Sequence, residues 1–418
     1  MNEMEDRERI IIWGAGTLGA SRLLCELLEM KYVIFAYCDS DDNKCGMSLN
    51  GYMVKSIDEV KELSDSSAFD FIVIAVYNAD VLVSVRKTIE EKIGTNVKIK
   101  AYAEIRDELE NSYIARMQQN MDFSGYEINY PKQFNIWINN IMSEVDFWVN
   151  SVAKENSQCR EDYCKRLRNN RFRSELVGNA EFIEQYLCGI KEPLVYDIGC
   201  GLAPRFGETL WNGNKISLVE IDPLAYFYNV INEKYAPVHD CRKIIFGMFE
   251  YFSDFFDVDS ADAVIINNAL DHCIDPYKSI VESLMVLKPG GVLHLNHARA
   301  EGVKGKYTGL HQWNLDYTGE DDFIIWNYDV AVNVTQRLKN IADIKLGHAG
   351  KNVPRSGQYV CVDMIKKIDF DKAQYVDINN ENQNKAFIIN RLMQALSNPA
   401  INSVFHKMLI DECEAEAQ

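Results

Sequence analysis

The sequence predicts an α/β protein built on two open, mostly parallel sheets joined by a helical stretch. Two observations carry this. Twice the chain runs an apolar strand straight into glycines and then, about 20 residues on, ends a second apolar strand in an acid. The first instance is Arg9–Trp13, Gly14-Ala-Gly-Thr-Leu-Gly19 and Asp39; the second is Leu194–Ile198, Gly199-Cys-Gly201 and the pair Glu220 and Asp222. The other observation is length: 418 residues, 47% of them hydrophobic, suit two or three domains each large enough to bury a core.

In the first half, Ala20 to Met30 has helical periodicity with Leu23, Leu24, Leu27 and Leu28 on one face. Tyr32–Cys38 is a second strand, Phe69–Val76 a third and Val97–Tyr102 a fourth. Strand, glycines, helix, strand and acid in that order predict a Rossmann-like domain over residues 1–120, with Gly14, Gly16, Gly19 and Asp39 as its nucleotide-binding candidates. The segments Cys38-Asp-Ser-Asp-Asp-Asn-Lys-Cys-Gly46 and Gly51-Tyr-Met-Val54 resemble the small N-terminal domain of sugar-modifying acyltransferases and related glycan enzymes. That resemblance implies a nucleotide or nucleotide-sugar ligand. A module that docks or dimerises without ligand is the other reading.

Residues 121–190 read as a helical linker or lid. Ala103–Gln119 is helical, Asp122–Gln133 is loop-like, and Phe134–Val152 returns to helical spacing with Trp137, Ile141, Val145, Phe147 and Trp148. This stripe reads first as a packing face and second as a lid over the next domain. The basic run Arg166–Arg173 reads as a solvated helix end, with a phosphate site as the alternative.

The second glycine motif opens a series. After Gly201 the chain is expected to enter a helix. Ile216–Ile221 is the next strand, followed by Asp222-Pro-Leu-Ala225, and Lys243–Phe246 the third, followed by Gly247-Met-Phe-Glu250. Asp262–Asn267 is the fourth, running into Asn268-Ala-Leu-Asp-His272, and Lys288-Pro-Gly-Gly291 turns into the fifth, Val292–Asn296. Asp322–Trp326 and Gln358–Ile365 are later strands with a helix over Asp329–Ile341 between them, and Ala386–Leu409 is one helical segment before a frayed acidic tail. The domain is set at 191–370 and the helical tail at 371–418.

These motifs in this order resemble class I S-adenosylmethionine (SAM)-dependent methyltransferases. The resemblance implies a seven-stranded sheet and SAM as cofactor. It implies that Asp197, Gly199 and Gly201 hold the cofactor and that Asp222, with Glu220 as fallback, accepts from the ribose hydroxyls. Met248 and Phe249 become the adenine contacts, and Asn268 a residue bordering the methyl. The run from Glu144 to Asn327, with NALDH, HLNH and GLHQWN, is similar to one uncharacterised group of these enzymes; it departs at Leu202-Ala-Pro204.

Four histidines fall in these motifs: His272, His294, His297 and His311. In a strand, positions i and i+3 face opposite ways, so His294 and His297 do not share a metal, and no metal is expected. Histidine titrates near neutrality, which suits a general base. His272 and His311, with Asp271, are the catalytic candidates, and His297 and Trp313 the substrate contacts.

The net charge of −18, from 62 acids and 44 bases, argues against a nucleic-acid partner. Eleven cysteines without CxxC pairs, no signal peptide and no membrane-length apolar run predict reduced thiols in the cytoplasm. The expected activity is methyl transfer to a small-molecule or glycan-linked acceptor, on oxygen, by an enzyme that can form homo-oligomers. An NAD(P)-dependent oxidoreductase and a non-catalytic scaffold are the rival readings.

Overall fold

The computed structural model describes residues 7–76, 78–153, 161, 185–202, 210–211, 214–235, 243–318, 322–347, 359–378 and 381–415. The basic run Arg166–Arg173 and the stretch directly after Leu202 lie outside them. The chain divides into two compact units, Met1–Asn120 and Met121–Gln418.

The first unit is a six-stranded sheet. Its strands are β1 (Arg9–Trp13), β2 (Val33–Cys38), β3 (Ser48–Leu49), β4 (Tyr52–Lys55), β5 (Phe71–Ile74) and β6 (Ile99–Ala101), in the order β3-β4-β2-β1-β5-β6. The β2, β1, β5 and β6 neighbours are parallel. Helix α1 (Arg22–Lys31) buries Leu23, Leu24, Leu27 and Leu28, the predicted face. Ser21 caps it by accepting from the Leu24 N–H, which satisfies one of the unpaired donors of a first turn.

The second unit holds a seven-stranded sheet. Its strands are β7 (Leu194–Ile198), β10 (Ser217–Asp222), β11 (Ile245–Phe246), β12 (Ala261–Asn267), β13 (Leu287–Ala298), β17 (Ala342–Leu346) and β18 (Tyr359–Lys366). The short pair β8 (Leu210–Trp211) and β9 (Asn214–Lys215) forms a separate hairpin. The order is β11-β10-β7-β12-β13-β18-β17, with β18 antiparallel to β13 and β17. Strand order reverses between β7 and β12, and a ligand crevice in an open sheet lies at that switch point. The two Rossmann-like sheets and the seven strands of the second match the expected fold class.

Two later elements differ from expectation, and a third, Asp322–Trp326 (β15), is the strand expected but lies outside the main sheet. It pairs with β14 (Asn314–Thr318) and β16 (Ala331–Asn333) in a separate antiparallel sheet. The helix expected over Asp329–Ile341 is therefore only Val334–Leu338, because Ala331–Asn333 is used as a strand. The segment Ala386–Leu409 is two helices, Glu381–Ser397 and Ser403–Ala415, broken at Asn398-Pro399, where proline disfavours the α conformation of the residue before it.

Helix α5 (Tyr130–Ala153) begins before Phe134 and runs over part of the stretch expected as loop. Its Trp137, Ile141, Val145, Val149 and Val152 are buried against Phe227, Ile231, Ile388, Leu392 and Phe405. Each aliphatic side chain so buried contributes about 1.5–3 kcal/mol, enough to hold a long helix in place over the sheet's glycine end. Among the described residues, no helix is long and apolar enough to cross a membrane.

Candidate functional site

A cavity of about 470 Å³ opens at the carboxyl ends of β7, β10 and β12. Its floor is the glycine loop. The N–H groups of Gly199 and Cys200 both donate to the Ile221 carbonyl, which pins the loop to β10. Gly199 has φ +70°, and a Cβ there would lie 2.5 Å from Phe249 Cζ and 2.6 Å from Ala269 Cβ. Only glycine fits this turn.

Eight of the predicted residues line the cavity: Asp197, Gly199, Gly201, Asp222, Phe249, Asn268, His272 and His311. Asp222 accepts from the Gly201 N–H at 3.0 Å and the Leu224 N–H at 2.8 Å. Burial nevertheless pushes its carboxyl up to about 7 against those bonds. Asn268 has φ +49°, and its side chain accepts from the Ala298 N–H at 2.7 Å while its own N–H donates to the Asn296 carbonyl. These bonds fasten the loop after β12 to β13.

Five predicted residues are elsewhere. Glu220 is buried in mid-sheet, paired in register with Asp197, and is not in the cavity wall. Met248 is fully buried in the apolar core that holds Tyr228 and Ile274, so it offers no adenine contact. Trp313 is also fully buried, and its indole N–H donates to the Cys273 carbonyl at 3.0 Å. It braces two loops and is not an open wall for an acceptor. Asp271 and His297 lie behind the wall, 0% and 1% exposed.

Those last two organise the histidines. Asp271 Oδ2 is 2.7 Å from His311 Nδ1, and Asp271 Oδ1 is 2.9 Å from His297 Nε2. His272 Nε2 is 3.2 Å from His311 Nδ1. Burial would raise the Asp271 carboxyl, but the charges of His272 and His297 and the bonds from His297 and His311 outweigh it and hold Asp271 far below the carboxylate range. Burial would lower His297, but the Asp271 charge and hydrogen bond raise it. The bond to Asp271 raises His311. His294 is separate: its Nδ1 meets Asp363 at 2.6 Å, on the other side of β13 from His297.

Several cavity residues were not singled out from the sequence. Asn267 ends an otherwise apolar strand, and its side-chain oxygen and nitrogen are both buried without a hydrogen-bond partner. An amide closing an apolar run was the available signal. Glu250 accepts from the Ile274 and Asp275 N–H groups, and burial pushes it up to about 7. From α5 come Glu144, which was not singled out, and Trp137, Ile141, Phe147 and Trp148 of the stripe read first as a packing face and second as a lid; the Trp148 indole donates to Glu144.

The first unit's glycine loop has a different environment. Gly14 has φ +109°, and a Cβ on Gly19 would lie 1.7 Å from the Gly14 carbonyl oxygen, so the helix start packs directly on the loop. Gly16 has open space where its Cβ would be. Asp39 Oδ2 accepts from the Ala15 N–H at 2.7 Å and from Lys44 Nζ at 3.0 Å; its Oδ1 accepts from the Asp41 N–H. Burial works to raise this carboxyl, and the three bonds together hold it below its usual value.

Residues 196–295 match the family model described as Methyltransferase domain, and residues 6–102 match the one described as C2185-like, N-terminal. A SAM-dependent methyltransferase from Thermotoga maritima, a possible histamine N-methyltransferase, is 14% identical. It covers 54% of this chain and 100% of that one at a TM-score of 0.30. A SAM-dependent methyltransferase from Clostridium acetobutylicum is 12% identical, with 50% and 100% covered and a TM-score of 0.31. UDP-D-quinovosamine 4-dehydrogenase from Vibrio fischeri is 14% identical, with 25% and 86% covered and a TM-score of 0.20. Likenesses of this size carry no argument about substrate. No curated protein matches the chain.

Proposed function

We propose, from the premise that this chain is a SAM-dependent methyltransferase with a class I fold in its second unit, that it methylates a hydroxyl of a small-molecule or glycan-linked acceptor in the cavity over β7, β10 and β12. The observation that carries the cofactor assignment is the presence of Asp222 and Asn267 in one cavity wall. Asp222 is a desolvated acid with lone pairs left for two hydroxyl donors, and Asn267 is an amide whose buried donor and acceptor both lack partners. Asp197, Gly199, Gly201, Asp222, Phe249 and Asn268 hold the cofactor in this reading, and Asn267 joins them. When bound, SAM supplies an electrophilic methyl group. The protein's task is to place the acceptor oxygen and exclude water, a proximity effect.

His272 and His311 line the cavity beside that floor, with Asp271 behind them. They take the proton that the acceptor hydroxyl loses. Within the stretch 121–190, α5 acts as the lid, a role supported by its side chains in the cavity wall. Calorimetry with S-adenosylhomocysteine on the full chain tests the cofactor half: Asp222→Ala weakens binding by at least about 100-fold if the assignment holds, and unchanged affinity sinks it.

Two readings compete for the first unit. A nucleotide or nucleotide-sugar in the glycine loop is supported by the strand, glycine and acid order, and would tie the enzyme to glycan chemistry. A docking module is supported by Asp39, which already bonds the loop's own Ala15 N–H and Lys44. Thermal shifts of the full chain with NAD, NADP and UDP-sugars separate them. A cytoplasmic location is supported by the seven described cysteines, all free.

A further inference from the structure

We propose that Asp271, His272 and His311 form a binding site for one divalent first-row transition-metal ion at the acceptor side of the cavity. Three donor atoms from two loops converge there. His272 Nε2 and His311 Nδ1 are 3.2 Å apart, His311 Nδ1 and Asp271 Oδ2 are 2.7 Å apart, and His272 Nε2 and Asp271 Oδ2 are 3.7 Å apart. Ligands at about 2.0–2.2 Å from a first-row ion in octahedral or tetrahedral geometry are separated by about 2.8–3.6 Å; the 3.2 Å edge lies inside that range, and the 2.7 and 3.7 Å edges lie just outside its two ends.

In the metal-free protein one proton on His311 Nδ1 serves both Asp271 Oδ2 and the His272 Nε2 lone pair, and a cation that takes the place of that proton meets the same three atoms. Two imidazoles and one carboxylate suit Zn²⁺, Mn²⁺, Fe²⁺ or Co²⁺ better than Mg²⁺, which prefers oxygen ligands.

The surroundings are arranged as around a ligand set. Asp271 is fully buried, and its second oxygen is 2.9 Å from His297 Nε2, which fixes the carboxylate's orientation. The loop that carries His311 is tied to the loop that carries Asp271 by the Gln312 N–H to the Asp271 carbonyl and by the Trp313 indole to Cys273. The histidine side chains are 22% and 36% exposed toward the cavity, so three protein ligands leave open positions on that side. The neighbouring group Asp271, His297 and Glu301 is a poorer candidate, because His297 Nδ1 is engaged with the Ala298 carbonyl at 2.8 Å.

What the ion is for rests on the proposed methyl-transfer reading: when present it binds the acceptor oxygen and eases loss of the hydroxyl proton to solvent, and the two histidines accept that proton themselves only in the metal-free protein. That the ion binds does not rest on that reading. The test uses the full chain, stripped with chelator and equilibrated with Zn²⁺, Mn²⁺, Co²⁺ or Mg²⁺. The expected result is one Zn²⁺ or Co²⁺ per chain, a visible Co²⁺ spectrum, Mg²⁺ binding weaker by at least an order of magnitude, and loss of the site in His311→Ala and His272→Ala but not in His406→Ala. Absence of saturable binding in the wild type, or unchanged stoichiometry and spectrum in both site variants, overturns the inference. The wild-type Co²⁺ spectrum reads the site without any variant having to fold. S-adenosylhomocysteine calorimetry runs alongside: metal binding without cofactor binding supports the site and sinks the methyl-transfer reading, and cofactor binding without metal does the reverse.

Discussion

The two glycine loops of this chain start from one plan and end in opposite electrostatic states. Each sits at the end of a central parallel strand, and each faces an acid at the end of the neighbouring strand. In the first unit that acid, Asp39, is met by Lys44 and two backbone N–H groups and is held below its usual range. In the second, Asp222 has two backbone N–H donors and the like charge of Glu144, and burial pushes it up to about 7. The difference teaches that strand, glycines and acid locate a crevice but do not say whether it waits for a ligand. An acid already neutralised from within its own loop has little left to offer a ribose. An acid desolvated without a cation gains from any donor that arrives.

The largest expected effect tests whether the second loop's crevice is a reaction site. The double variant His272→Ala, His311→Ala should lower kcat on a hydroxyl acceptor by about 10²–10⁴, the range for loss of proton-transfer assistance. Its affinity for S-adenosylhomocysteine should match the wild type, since neither residue belongs to the proposed cofactor floor. A full rate in steady-state assay would move the chemistry away from this cluster.

Next in size is the acid itself. Asp222→Ala should weaken S-adenosylhomocysteine binding by at least about 100-fold, because hydrogen bonds to a charged acceptor are worth about 1.5–3 kcal/mol each and two are expected. Asp39→Ala should leave that affinity unchanged. If both substitutions weaken binding equally in calorimetry, the contrast between the loops is wrong.

How much of this was legible in the sequence depends on how local the signal is. The β7 loop was legible because a five-residue apolar run and two glycines define it without reference to anything distant. The choice of Asp222 over Glu220 also came from local pattern, and it is Asp222 that lines the cavity. Met248 and Trp313 were misplaced because burial is decided by tertiary packing: a large apolar residue beside a motif looks the same whether it faces a ligand or the core. The Asp271 and His311 pairing spans 40 residues, and only the stitching of the loops after β12 and β13 creates it. Strand alternation placed His294 and His297 on opposite faces, and the two meet Asp363 and Asp271 on opposite sides of β13.

A smaller effect sharpens the comparison through pH. Asp222 must be ionised to accept from hydroxyl donors. With its free-protein pKa at about 7, protons compete with the cofactor below that pH and not above it. Affinity for S-adenosylhomocysteine should therefore be flat above about pH 8 and fall by up to about tenfold per unit below the pKa. Asp222→Asn should abolish the slope. Glu250 is also pushed up to about 7, so Glu250→Gln is the control, and a slope that disappears with Glu250 instead would reassign the titrating group.

The smallest expected effect is in the first unit and decides between its two readings. Lys44→Ala removes the cation from Asp39 and leaves the Ala15 and Asp41 N–H donors in place. The pair is partly exposed, so the stability loss should be about 1 kcal/mol or less. Asp39 is held below its unfolded value of 3.8, so its stabilising contribution is complete above that value and is lost as pH falls through the folded pKa. Thermal unfolding of wild type and variant should accordingly differ near neutrality and converge in acid. Freed from Lys44, the carboxylate can turn to a ribose hydroxyl, so NAD or a UDP-sugar should shift the variant's melting temperature more than the wild type's, with NADP lagging because its phosphate meets the acid. A variant that loses the expected stability yet responds to none of these ligands would make the first loop a docking element. The acid of the second unit would then be the only one of the two that serves a ligand.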